Sequence, residues 1–287
     1  MNSSLRALAS VFKLRIGFAI AVTAVAGAAV APGPQLPAWK ILVLALAVLG
    51  ASAAAGAFNQ YIERDLDARM SRTQNRPFVT GFYDPSGAFW PAGLALLLIL
   101  SCGAAAVLVG PMAALHVFLG AFVYGVVYTL WLKRRTWLNI VIGGLAGSFA
   151  VLAGAAAVDP APAAAPLLLA LVLFLWTPPH FWSLAMARRD DYAAAGVPML
   201  PVVKGDAAAA RAILLHTIPL VALSLAPAWF GLGLPYLIAA ATGGAVFLWY
   251  SIRLVRAPGP KAAMANFFAS LLQLTLLLGG AILEFWT

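Results

Sequence analysis

Apolar runs, each about as long as a bilayer is thick, alternate along this chain with short polar breaks. They fall at 15–32, 41–58, 88–109, 112–132, 138–158, 166–186, 211–230, 234–253 and 264–285. A helix needs about 20 residues, rising about 1.5 Å each, to cross about 30 Å of hydrocarbon. The pattern predicts an all-α polytopic membrane protein with nine transmembrane helices, forming a single domain over 1–287.

Composition agrees. Of 287 residues, 63% are hydrophobic and only 9% charged; a soluble domain carries about 25% charged residues. The net charge of +9 would suggest nucleic acid on a soluble chain. Here the cations sit in short loops between spans, so they read as topology signals and the partner is the lipid bilayer, with no nucleic acid. Arg6, Lys13 and Arg15, the loops after the second, fourth and sixth spans, and the loop after the eighth hold every Lys and Arg except Lys40. The positive-inside rule makes that side cytoplasmic, with the N-terminus in and the C-terminus periplasmic. The Ala-rich composition and the lack of an Arg-rich, Ser-rich leader point to a bacterial inner membrane. The N-terminal run resembles a signal peptide but is read as an uncleaved first span, because many spans follow. Cys102, inside an apolar run, has no partner for an intrachain disulfide and is read as a small packing residue.

The polar breaks are not all alike. Asn59 to Gly81, NQYIERDLDARMSRTQNRPFVTG, packs Glu63, Asp65, Asp67, Arg64, Arg69, Arg72 and Arg76 between two membrane-length runs. Asn59, Glu63 and Asp67 are four apart. If the second helix continues into the loop, each step of four advances about 40°, giving one polar stripe with side chains about 5–6 Å apart at Cβ. Oxygen ligands so spaced suit Mg²⁺, which takes one or two carboxylates plus phosphate oxygens, and arginines hold phosphate in bidentate fashion. The competing account is a solvated loop with local pairs such as Asp65–Arg69. A second cluster, Arg188-Arg189-Asp190-Asp191-Tyr192, falls on the same membrane face, and two acidic clusters bracketing basic loops are what a metal-bridged diphosphate requires.

The first motif, N-x-x-x-E-R-D-x-D-x-x-M-x-R-T-x-x-R-P, resembles the first signature of the UbiA family of intramembrane prenyltransferases. YTLWLKRRTWLNIVIGGLAG (128–147), WTPPHFWSLAMARRDDY (176–192) and AGVPMLPVVKG (195–205) resemble its haem-modifying branch, the protohaem IX farnesyltransferases. The matches run from Asn59 to about Gly205. Glu63 stands where the family more often has Asp, and Asp191 is followed four residues on by Ala195 rather than a second Asp. Phe82 and Tyr83 stand where polar residues are expected.

The resemblance implies a UbiA-like helical bundle and a farnesyl transfer from farnesyl diphosphate to a vinyl group of haem b, with water addition, giving haem O. It implies Mg²⁺ on Glu63, Asp67 and Asp191, with Asn59 assisting and Asp190 beside them. Lys133 joins Asn59, Glu63, Asp67 and Asp191 as a catalytic candidate. Arg64, Arg72, Arg76, Lys133, Arg134, Tyr128 and Arg188 are the diphosphate candidates. A downstream haem-modifying enzyme, or haem–copper oxidase assembly, is the implied consumer of product. His180, after Pro178 and Pro179, has two readings: a haem-iron ligand, because neutral imidazole binds haem iron, or a structural hydrogen bond to a neighbouring helix. The two prolines are expected to break that helix, and His116 and His216 to pack or sit at the interface. Rival functions are prenylation of an aromatic quinone precursor, membrane transport, and haem chaperoning without turnover. A transporter places its key polar groups near the bilayer midplane; these lie at the span ends.

Overall fold

The computed structural model describes residues 3–161 and 163–284. Among them there is no strand. Eight helices are long and apolar enough to span a membrane: Ala38–Ile62, Phe89–Leu108, Pro111–Leu132, Asn139–Val158, Ala164–Ala187, Asp206–Phe230, Leu234–Arg256 and Pro260–Leu283. A first helix pair, Ser4–Val11 and Leu14–Ala29, bends by 49° and makes the ninth span when taken as one. All nine sit where the hydropathy pattern placed them. Position 285, the predicted end of the last, lies outside the described residues.

Differences lie at the ends. The second span runs to Ile62, the seventh starts at Asp206, the eighth ends at Arg256 and the ninth starts at Pro260, each three to five residues beyond its apolar run. Long basic side chains let a helix continue past the hydrocarbon while their charged heads reach water.

Small residues let the spans approach. A Cβ on Gly27 of the first span would overlap the Val151 backbone of the fifth, and one on Gly154 would overlap Ala24. Ala21, Ala24, Leu44, Ala47, Ala51, Ala105, Ala121 and Ala153 form the core there. A larger core, with Leu169, Trp176, Tyr236, Phe247 and Leu277, joins the later spans. Leu96, Ile99, Leu100 and Val107 of the third span face outward, as lipid contact requires.

The sixth span stays helical through Pro178 and Pro179. The Thr177 hydroxyl donates to Leu173 O (3.0 Å) and Ser183 to Pro179 O (2.6 Å). Gly144, where the fifth span breaks between Asn139–Gly143 and Leu145–Val158, packs against Thr177 and the Phe174 carbonyl, the acceptor that Pro178, lacking an N–H, leaves without its helical donor. The expected break is thus absent from the helix that carries the prolines.

Candidate active site

At the end of the bundle where the basic loops gather, the second span ends at Ile62 and a four-residue helix, Arg64–Asp67, follows at once. Glu63 itself leaves helical geometry (φ −93°, ψ 20°), and two bonds tie the helices on either side of it: Glu63 N–H to Asn59 O (3.0 Å) and Asp67 N–H to Glu63 O (2.8 Å). The second helix does not continue unbroken into the loop as the stripe requires, yet Asn59, Glu63 and Asp67 are all buried, Glu63 fully.

Each buried carboxylate meets one cation. Lys133 Nζ donates to Glu63 Oε2 at 2.5 Å, and Arg76 Nη1 to Asp67 Oδ2 at 2.6 Å. Arg76 is held by the chain that follows it. Phe78 is buried in an aromatic cluster with Tyr61, Tyr83 and Trp90, which explains the apolar Phe82-Tyr83 stretch: the loop folds on aromatic contacts and not on polar ones.

Lys133 is delivered by an irregular element. Val123–Leu132, the second half of the fourth span, is a π-helix, with Thr129 Oγ1 bonded to Tyr124 O (2.8 Å) and Lys133 N–H to Tyr128 O (2.9 Å), both five residues back. Such wide turns concentrate at functional sites. Here the π-helix stacks Tyr124 on Tyr128 (5.9 Å between ring centroids) and sets Lys133 Nζ 5.7 Å from the Tyr128 ring centroid. Thr129 accepts from Asn59 Nδ2 (3.0 Å).

The second acidic cluster comes to the first through Asp191, whose Oδ1 accepts from Ser71 N–H (3.1 Å) and Ser71 Oγ–H (2.7 Å). Asp190 is exposed. Tyr192 is buried beside it, which pushes its phenol up, and Arg72 lies close enough to oppose that shift.

Two buried carboxylate oxygens at the site, Glu63 Oε1 and Asp191 Oδ2, have no hydrogen-bond partner; a third, Asp206 Oδ1, lies 3.6 Å from Arg189 outside it. The two at the site belong one to each acidic motif. A buried acceptor without a donor is costly, and hard oxygen donors of this kind fit Mg²⁺. Among the described residues no three His, Cys, Asp or Glu side chains form a ready metal cage; Lys133 and Arg76 occupy the carboxylates instead.

Other candidates fall elsewhere. Arg64 folds back, donating to Tyr61 O (2.6 Å) and stacking on its ring (4.7 Å). Arg134 forms a bidentate pair with Asp65 (2.7 and 2.8 Å), so Asp65 is not paired with Arg69; this guanidinium holds the Asp65 carboxyl below its usual range. Arg188 is exposed. His180 is buried between Trp176 (4.1 Å) and Phe267 (4.5 Å), with Nδ1 2.7 Å from Ser270 Oγ on the ninth span. His116 and His216 each bond a carbonyl one turn back. Gly143 packs on the Tyr128 ring, while Gly147 meets nothing.

Three contributors escaped the sequence reading: Lys13, Tyr124 and Thr129. Lys13 Nζ donates to Asn59 Oδ1 (2.5 Å) and to the Tyr124 hydroxyl (2.8 Å). Its signal was a lone lysine between two apolar stretches, which was read only as a topology charge.

A model of the UbiA prenyltransferase family matches residues 20–272. Over 284 residues, 99% of this chain and 98% of the relative, the sequence is 60% identical to a protein named protoheme IX farnesyltransferase 2 from Paramagnetospirillum magneticum. In fold it resembles a digeranylgeranylglyceryl phosphate synthase (TM-score 0.79, 17% identity, 99% of each chain covered). It also resembles a UbiA homologue from Archaeoglobus fulgidus bound to DMAPP and Mg²⁺ (TM-score 0.70, 15% identity, 96% of this chain and 98% of that one).

Proposed function

The chain belongs to the UbiA prenyltransferase family, and from that premise we propose that it transfers a farnesyl group from farnesyl diphosphate to a vinyl group of haem b, with water addition, releasing diphosphate and haem O. The observation that carries this reading is the buried set of Glu63 and Asp67 paired with Lys133 and Arg76, in a chain that matches a named protoheme IX farnesyltransferase over almost its whole length.

The residues support the chemistry in order. Glu63, Asp67 and Asp191, with Asn59 beside them, form the metal-binding side of the site. Bound Mg²⁺ supplies charge neutralisation for the departing diphosphate. Lys133 and Arg76 sit within one side-chain length of those oxygens and donate to the diphosphate as the bond between its oxygen and farnesyl C1 breaks. The electron pair leaves with that oxygen, and positive charge spreads over the allylic carbons. The stacked Tyr124 and Tyr128 rings offer that cation their π faces. The haem vinyl group adds to C1, and water closes the resulting cation, losing one proton. Preorganised charge at the leaving group does most of the work. His180 is proposed as a haem contact; with Nδ1 bonded to Ser270, its other ring nitrogen is the one facing haem.

The chain is a multi-pass membrane protein. We place it in a bacterial inner membrane as one domain, N-terminus cytoplasmic, with the site at the cytoplasmic end. An acceptor competition tests the substrate assignment: purified protein is given farnesyl diphosphate, Mg²⁺, haem b and an aromatic quinone precursor acid together. Farnesyl on haem alone supports the reading; farnesyl on the aromatic acid alone sinks the haem assignment and leaves the family.

A further inference from the structure

Lys13 is a non-glycine residue in the left-handed region (φ 48°, ψ 42°) and sits in the 49° bend between the two halves of the first span. A lysine there is strained, and such strain persists only where the surroundings fix the conformation. The second span does the fixing. Gly56 leaves a lane for the lysine stem, since a Cβ there would lie 3.3–3.5 Å from its carbons. Gln60 Nε2 bonds Ser10 O (2.6 Å), just before the bend. Asn59 Oδ1 receives the ammonium at 2.5 Å, and Tyr124 Oη at 2.8 Å. Gly56, Asn59 and Gln60, inward-facing positions of one helix, thus hold a cation from another span in the site.

That cation has no carboxylate of its own. Glu63 is taken by Lys133 and Asp67 by Arg76, and Asp191 bonds Ser71, so the Lys13 ammonium is left with neutral oxygens. The contacts to Asn59 and Tyr124 use two of the three N–H donors of the ammonium. Both partners are neutral oxygens, a weaker home for an ammonium than an anion.

We propose that Lys13 is a diphosphate-binding residue, held by Asn59 and Tyr124 and donating its third N–H to a diphosphate oxygen of the substrate. This assignment rests on the prenyl-transfer reading above. The test uses the full chain in detergent, inorganic diphosphate with Mg²⁺ as the probe, and titration calorimetry. Lys13→Arg keeps the charge; Lys13→Gln keeps a donor for Asn59 without it; Lys13→Met keeps neither. The assignment predicts that Lys13→Arg binds diphosphate within a few-fold of wild type, while Lys13→Gln and Lys13→Met lose about tenfold to a hundredfold, the worth of one hydrogen bond to a charged group. If Lys13→Met fails to fold, the Arg and Gln variants decide. Wild-type affinity in Lys13→Gln overturns this assignment alone and leaves a positioning lysine. A wild type that binds no diphosphate overturns the functional reading and this assignment with it.

Discussion

The Glu63–Lys133 pair sets the residue-scale expectation. Removing one partner of a buried ion pair strands the other charge and costs about 3–5 kcal/mol. Lys133→Met should therefore lower the unfolding midpoint in detergent sharply, and adding Glu63→Leu should restore much of it. Equal losses in single and double variants would mean that the pair is not coupled. Asp65–Arg134 is the contrast. Arg134 holds the Asp65 carboxyl down, so its stabilisation is present above the unfolded value, about pH 3.9, and is lost as pH falls through the lower folded value. With side chains 43% and 49% exposed, the pair is worth about 1 kcal/mol or less. Asp65→Asn should leave the midpoint unchanged from pH 7 to 5 within a degree or two and flatten only a small loss below about pH 4. The four-residue spacing of Asn59, Glu63 and Asp67 was legible as a buried polar set, while the break at Glu63 between the two helices was not. Arg64, which directly follows Glu63, turns to Tyr61. Which partner Asp65 chose was not legible, since Arg134 is 69 residues away.

At the scale of elements, the hydropathy pattern located the fourth span but not its pitch, because VYGVVYTLWL is apolar on every face. The π-helix over Val123–Leu132 decides where Lys133 points. Deleting Val126, an exposed residue within it, should restore α pitch and change the angle and height at which Lys133 leaves the helix relative to Tyr124. We expect the variant to insert and fold, with turnover lower by about a hundredfold or more, the usual cost of misplacing a group by an ångström. Unchanged turnover, with the protein still folded, would show that the wide pitch is not what positions Lys133. The sixth span carries the opposite lesson: two prolines promised a break, and flanking hydroxyl bonds and a glycine on the neighbouring span kept the helix whole.

Across the whole molecule, the number and order of spans were readable because hydrocarbon leaves a spanning backbone no other way to satisfy its polar groups. How the ends meet was not. Ser71 on the first long loop bonds Asp191 on the second, and that contact, which joins the loops after the second and sixth spans over one site, has no local signal. Nor does Lys13, whose role depends on a bend in one span and a lane in another. We propose that the carboxylates at this junction serve prenyl transfer to haem. The most direct test incubates purified protein with haem b, farnesyl diphosphate and Mg²⁺ and follows haem by mass, with Asp67→Asn and a chelator in parallel. Wild-type protein should add one farnesyl and one hydroxyl to haem, with a loss of about a hundredfold or more in both controls. Haem unchanged in mass with folded wild-type protein, or product undiminished in Asp67→Asn, would contradict the proposal.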